Sequence, residues 1–327
     1  MNTINDEFQN RTDPYRRELS VHCYRILGSL EDAEDALQET LLRAWRRLDS
    51  LKEQTSLRAW LYKIATNVSL DMVASRKARS LPAVLFDPAD PNDPLSQPIN
   101  DPIWLDPLPD AYLDGTIIDP ESRYEALESI TLAFLMALQN LPGRQRAILV
   151  LRDVLGWKAQ EVAELLDITV TAVNSALQRA RATMKKYQDE GHWGAAEDSQ
   201  EMALLLTRYV QAWEAADSVS LISLLRDDAA LTMPPLPMWF RGHAAIKTFL
   251  DKHLFTGLPR FRLVATRANG SPTFAVYERD SSNIYRPSAL QVLTLASNQI
   301  AQIDDFLVHD SQLFSRFNLP DRLTVDF

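Results

Sequence analysis

The sequence predicts a multi-domain chain, with two all-α modules in the first 187 residues and an α+β domain after residue 200. Three observations carry that expectation. A length of 327 residues exceeds what a single hydrophobic core usually organises. Apolar residues recur at helical spacing in two blocks, separated by a stretch in which proline forbids helix. Beyond Gln200, helical patterns are followed by runs with strand preference, the order expected of an α+β domain. Hydrophobic residues at 46% and charged residues at 24% exclude a disordered polymer and a coiled-coil rod.

In the first module, residues 12–80, the helical spacing runs through 15–27, 33–48 and 57–73. Ser29 followed by Asp32 matches a helix-start signal, in which the serine oxygen accepts from a first-turn amide, so a helix begins near Leu30. Residues 81–120 hold nine of the 18 prolines and eight aspartates with no basic residue. That composition predicts an extended acidic linker, either a mobile spacer or a segment that docks through Leu85, Phe86, Ile103, Trp104, Leu105 and Tyr112. The second module, residues 121–187, reads as helices over 121–138, 143–153, 158–166 and 169–187. In residues 200–327, helices are expected over 202–215, 220–226 and 244–254, then an antiparallel meander of strands over 261–267, 273–278, 289–296 and 299–308.

No apolar stretch reaches the length of a membrane helix, and the N-terminus lacks a secretory pattern, so a cytoplasmic protein with no membrane partner is expected. The single cysteine, Cys23, forms no internal disulfide, and no Cys or His pairs stand at metal-ligand spacing, so neither metal nor cofactor is expected. A net charge of −10 argues against a nucleic-acid coat, but the charge is uneven. Residues 1–80 and 121–187 are slightly basic, at +1 and +2, whereas the linker carries −8 and residues 188–327 carry −5.

Residues 158–181 form the strongest local signal. Val162, Ala163, Leu165 and Leu166 face inward, and Thr169 caps the next helix after a short turn, which is a helix-turn-helix. On its second helix, Val170, Val173 and Leu177 make the buried stripe. Thr171, Ala172, Asn174, Ser175 and Gln178 are left to reach base edges, with Arg179, Arg181, Lys185 and Lys186 where phosphates would pass. The alternative is an ordinary helical hairpin with a solvated face. A second pattern places Asp35, Gln38 and Glu39 on one helix face, either a solvated surface or a contact for a basic partner. A third interleaves Arg58 and Lys63 with Trp60 and Tyr62, followed by Arg76, Lys77 and Arg79. This is what single-stranded DNA requires, although Trp60 taken alone reads equally well as a core anchor.

Taken in order, D-A-E-D-A-L-Q-E-T-L-L-R-A-W (32–45), L-R-A-W-L-Y-K-I-A-T-N (57–67), the Pro/Asp-rich linker, L-P-G-R-Q-R-A-I-L-V-L-R-D-V-L-G-W (141–157) and the helix-turn-helix ending Q-R-A-R resemble an extracytoplasmic-function (ECF) sigma factor of bacterial RNA polymerase. The resemblance covers about residues 12–187 and implies region 2 and region 4 helical domains. It implies that Asp35, Gln38 and Glu39 contact the clamp of the largest polymerase subunit. It further implies that the loop at 54–56, including Ser56, together with Arg58, Trp60, Lys63 and Asn67, melts the minus-ten promoter element and captures a flipped base, with Arg76, Lys77 and Arg79 on the adjoining backbone. The helix over 169–186 would read the minus-thirty-five duplex while its domain touches the polymerase flap, and the acidic linker would follow the RNA exit channel.

Residues 200–327 resemble a SnoaL-like domain, the α+β cone shared with ketosteroid isomerases and nuclear transport factor 2. The resemblance rests on E-M-A-L-L-L-T-R-Y-V-Q-A-W-E-A-A-D (201–217) and A-L-T-M-P-P-L-P-M-W-F-R-G-H-A-A-I (230–246). It implies a cone pocket, expected at Trp239, Tyr277, Tyr285, Asp304 and His309, with Asp217, His243 and Asp305 as further candidates for proton transfer or a small-molecule ligand. The expected role is regulation in cis rather than catalysis. The rival reading is a helix-turn-helix regulator fused to a ligand-binding or isomerase-like enzyme domain.

Overall fold

Gly28 ends one helix in a left-handed turn, φ 72°, and Ser29 caps the next, its hydroxyl accepting from the Asp32 amide at 3.3 Å. This junction joins α2 (Arg16–Leu27) to α3 (Leu30–Arg46), preceded by α1 (Asn2–Thr12) and followed by α4 (Leu57–Ser75). The computed structural model describes residues 2–48, 51, 56–99, 103–114, 120–190, 199–257, 260–296, 298–308 and 312–324. The chain divides into a helical unit, Met1–Arg79 with Asp110–Trp193, and an α+β unit, Ser80–Pro109 with Gly194–Phe327.

The acidic linker therefore splits, and its main part belongs to the α+β unit. Short helix α5 (Pro82–Leu85) opens this segment. The Ala89 amide donates to the Trp239 carbonyl at 2.9 Å, Ile99 to Pro235 at 3.0 Å, and Asn269 to Leu108 at 3.0 Å. In return, Trp239 Nε1 donates to the Phe86 carbonyl, and the Leu108 amide to Asn269 Oδ1. Trp104, Leu105 and Leu108 are buried, while Leu85 and Phe86 stay exposed. Burial of these side chains together with paired backbone amides outweighs the proline and like-charge content that predicts a free spacer.

In the helical unit, α2, α3 and α4 close around Leu19, Tyr24, Ile26, Leu30, Leu61 and Tyr62. The expected helix over 121–138 is two, α6 (Pro120–Glu128) and α7 (Leu132–Gln139). Thr131 breaks the run by capping the second, accepting from the Phe134 amide. α8 (Gly143–Leu149) continues into a π turn (Val150–Val154), followed by α9 (Ala159–Leu166) and α10 (Val170–Glu190). The start of α8 lies close on α4, since a Cβ on Gly143 would meet Val73 Cγ1 at 3.0 Å and the Val73 side chain would have to give way.

Buried arginines tie the elements of this unit together. Arg146 donates to the Ile26 carbonyl, to Gln139 Oε1 at 2.6 Å and to the Gln139 and Leu141 carbonyls, and Arg25 donates to Ser129 Oγ at 2.7 Å. His22, fully buried, shares a 2.9 Å hydrogen bond with Thr66, and desolvation, with Arg25 and Arg58 nearby, lowers its pKa to about 3.

The α+β unit places α11 (Gln200–Glu214), α12 (Ser218–Ile222) and α13 (His243–Phe249), which continues into a π turn (Leu250–Leu254), against a six-stranded sheet. The strands are β1 (Leu225–Thr232), β2 (Trp239–Arg241), β3 (Phe261–Ala268), β4 (Ser271–Arg279), β5 (Tyr285–Ala296) and β6 (Gln299–Leu307), ordered β2-β1-β6-β5-β4-β3; α14 (Gln312–Arg316) follows. Strands β3 to β6 form the expected antiparallel meander, and the sheet as a whole is mixed because β1, which the sequence reading does not include, pairs parallel with β6. The expected helix over 220–226 stops at Ile222. Arg226 then pairs with Asp228 at the two-residue spacing of a strand face, 2.9 Å apart. Tyr209, Trp213, Phe240, Phe249, Phe274 and Ile303 lie in its hydrophobic core.

Candidate nucleic-acid interface

Helix α3 presents Asp35 and Gln38 to solvent, with Glu39 half-buried and bonded to Arg43 Nε at 2.6 Å. Leu42 and Trp45 continue the Asp35–Gln38 face at helical spacing and are exposed, an apolar extension that the acidic pattern alone does not signal. Large apolar groups left in water beside carboxylates suit a partner surface better than a purely solvated one.

Ser56, Arg58, Trp60 and Lys63 line one cleft of about 790 Å³, whose opposite wall is Leu155, Gly156, Trp157, Glu161 and Glu164. Asn67 is exposed and lies outside that lining, and residues 54 and 55 lie outside the described residues. Lys63 Nζ reaches Asp167 Oδ1 at 3.1 Å and the Glu164 carbonyl at 3.2 Å, and Trp157 stands 5.3 Å from Tyr62, ring to ring. Arg58 is held differently from the expectation for a free phosphate ligand. Its guanidinium grips Glu18 at 2.7 Å and 3.0 Å and lies over the Tyr62 ring, and the Glu18 bond raises its pKa. Arg76 and Arg79 likewise meet Asp32, whose carboxylate is buried, so Arg79 is an interior ion-pair partner, and of the three basic residues only Arg76 and Lys77 are exposed.

The helix-turn-helix turns on Asp167, which adopts the left-handed conformation at φ 53°, and on Thr169, whose hydroxyl caps α10 by accepting from the Ala172 amide at 3.1 Å. Val162, Ala163, Leu165, Val173, Ala176, Leu177 and Ala180 are buried. Thr171, Ala172, Asn174, Ser175, Gln178, Arg179 and Lys185 are all exposed on α10. Arg181 is exposed as well, but it forks onto Asp153 at 2.7 Å and 2.8 Å and so braces α10 against the π turn.

In the α+β unit the expected cone residues do not converge. Alternation along the strands puts Tyr277, Tyr285, Asp304 and Trp239 on the face opposite the core formed by Val276, Ile303 and Phe240. Tyr277 donates to the Pro320 carbonyl, Asp304 accepts from Thr232 at 2.7 Å, and Trp239 serves the linker. His309 lies outside the described residues. The carboxylate that enters the cone is Asp305, whose strand partner Gln291 accepts from Tyr209 at 2.8 Å. Burial raises the Asp305 pKa to about 7 and that of Asp304 to about 6. Asp217 caps α12, and His243 bonds the Leu225 carbonyl at 3.1 Å, both local structural tasks. Among the described residues, no acidic, His or Cys cluster is placed to hold a metal, and no helix is long and apolar enough to cross a membrane.

Comparison with known proteins agrees with this architecture. Residues 13–79 match the Sigma-70 region 2 family and residues 131–184 match Sigma-70, region 4. The chain is 43% identical over 320 residues to the ECF RNA polymerase sigma factor SigG of Mycobacterium tuberculosis, covering 97% of this chain and 85% of SigG. It is 28% identical to the ECF RNA polymerase sigma factor SigW of Bacillus subtilis, over 55% of this chain and 88% of SigW. In fold it is similar to the crystal structure of the Mycobacterium tuberculosis sigma factor SigJ, with a TM-score of 0.58 and 19% identity over 95% of this chain and 99% of that one. Similarity to sigma factors over nearly the whole chain sets aside the reading of a regulator fused to an enzyme. The chain belongs to the ECF sigma factors, non-enzymatic initiation factors that bind RNA polymerase core and promoter DNA.

Proposed function

We propose that the α+β domain regulates this sigma factor in cis by holding the interdomain linker. The carrying observation is the row of hydrogen bonds from Ala89, Ile99 and Leu108 to Trp239, Pro235 and Asn269. In the reading we favour, the face of Asp35, Gln38 and Glu39, extended by Leu42 and Trp45, meets the polymerase clamp, and the flap is met by the region 4 domain. Trp60, Lys63 and Asn67 engage the melted minus-ten strand, and Asn174 and Gln178 read minus-thirty-five bases beside Arg179 and Lys185.

The acidic linker cannot lie along the α+β domain and thread a basic RNA exit channel at the same time, so polymerase competes with the domain for it. Removal of residues 200–327 and measurement of transcription from a cognate promoter with purified core enzyme tests the regulation. A change in polymerase affinity or initiation rate is expected. Unchanged values for both would remove the cis role while leaving the sigma-factor assignment intact.

A further inference from the structure

Within the α+β unit the interdomain linker closes on itself. The Ser80 amide donates to the Ile103 carbonyl at 2.8 Å and the Leu105 amide to the Ser80 carbonyl at 3.0 Å, which sets Ser80 beside Trp104 as a parallel strand pair. Leu81 and Leu105, next to this pair, are 1% and 0% exposed, and Ser80 and Trp104 are buried with them. Trp104 Nε1 donates to the Ile99 carbonyl, and its ring stands 6.2 Å from that of Phe86, so one side chain holds both arms of the loop. Two backbone bonds alone do not keep a loop of this length shut, because closure costs chain entropy. The arms are therefore anchored as well: Ala89 and Ile99 donate to the Trp239 and Pro235 carbonyls, the Ser96 amide meets Met238 Sδ at 3.0 Å, and Asn92 accepts from Lys252.

Closure shortens the tether. Paired strands lie about 5 Å apart, whereas the chain from Ser80 to Leu105 reaches about 85 Å when extended. The first segment of the helical unit ends at Arg79 and its second begins at Asp110, so most of the linker lies inside the loop. We propose that the pairing of Ser80 with Ile103 and Leu105 is a clasp, shut in the free chain, that must open before polymerase can take the acidic segment in extended form. Opening breaks both backbone bonds and exposes Leu81, Trp104 and Leu105 to water. Polymerase that accepts only the open linker binds the free chain more weakly by the fraction of chains in which the clasp is open. The clasp rests on the reading that polymerase competes with the α+β domain for the linker, and it names the contact that has to yield.

Ala78→Cys and Asp106→Cys, combined in the full chain, flank the clasp, and the buried Cys23 stays unlabelled. Across a shut clasp the two Cα atoms lie within about 20 Å of each other. Double electron–electron resonance between spin labels on these cysteines should give one short distance in the free chain and a separation beyond about 40 Å with purified core enzyme. Bridging the same cysteines with a thiol-cleavable bismaleimide should cut initiation at a cognate promoter at least about tenfold. Reduction should restore it, and single-cysteine variants treated alike should keep parental activity. A long or broad distance in the free chain, no lengthening with core enzyme, or normal initiation by the bridged protein would each overturn the clasp. If the distance stays short while removal of residues 200–327 still changes initiation, the clasp falls and the regulatory reading stands. If the clasp opens with core enzyme although that removal changes nothing, the regulatory reading falls and the clasp stands.

Discussion

Lys63, on α4, donates to Asp167, the left-handed residue that ends the first helix of the helix-turn-helix, across 3.1 Å. A cation that the proposed function assigns to the melted strand is therefore engaged by the helix-turn-helix module. Asp167 is 81% exposed, so the pair contributes little, about 0–1 kcal/mol after solvent screening. Asp167→Asn should accordingly raise the affinity of the free protein for a single-stranded minus-ten oligonucleotide by no more than about fivefold. Fluorescence anisotropy with and without core enzyme measures this, and a gain confined to the free protein is the expected pattern.

Arg146 is a different case, because it is interior and its bonds collect carbonyls from α2, α7 and the loop before α8. Arg146→Ala leaves several buried acceptors unpaired and opens a cavity, at a cost of about 3–5 kcal/mol. Urea denaturation should show this as a shift in midpoint. A loss below about 1 kcal/mol would mean that water replaces the guanidinium there.

The features readable in the sequence are those fixed by local chemistry. Ser29 and Thr169 are caps in the structure because a hydroxyl three residues before a free amide needs no tertiary information. The exposed face of α10 follows equally from periodicity. The cone interior does not, since a shift of one residue exchanges the faces of a strand, and β5 pairs with irregular register on both sides. Asp305 rather than Asp304 consequently enters the core. The engagement of Arg79 by Asp32 depends on a contact between residues 47 apart, which composition cannot signal.

Docking of the linker predicts slow exchange at specific amides. Ala89, Ile99 and Leu108 each donate to the α+β domain, and Asn269 accepts from Leu108 while holding a left-handed φ of 55°. Asn269→Gly keeps that backbone conformation and removes the side-chain acceptor, so the buried Leu108 amide loses its partner at about 1–3 kcal/mol. Hydrogen exchange by mass spectrometry should show faster exchange across the segment around Leu108, with α2 to α4 unaffected. Equal protection in parent and variant would show that the linker is held without this bond.

The two units should respond to pH with opposite signs. Burial raises Asp305 to about 7, above the ~3.9 of an unfolded aspartate, so between those values the folded α+β unit binds the extra proton. Its stability is fullest below pH ~4 and falls as pH rises towards 7, a slope to which Asp304 adds in the same direction. His22 is lowered to about 3 against ~6.5 unfolded, so the proton is bound preferentially by the unfolded chain. The helical unit therefore keeps that contribution above pH ~6.5 and loses it as pH falls towards 3. Native-state hydrogen exchange across this range separates the units, and Asp305→Asn should flatten the slope in the α+β core amides alone. Retention of the full slope in Asp305→Asn would mean that the proton resides elsewhere in the cone.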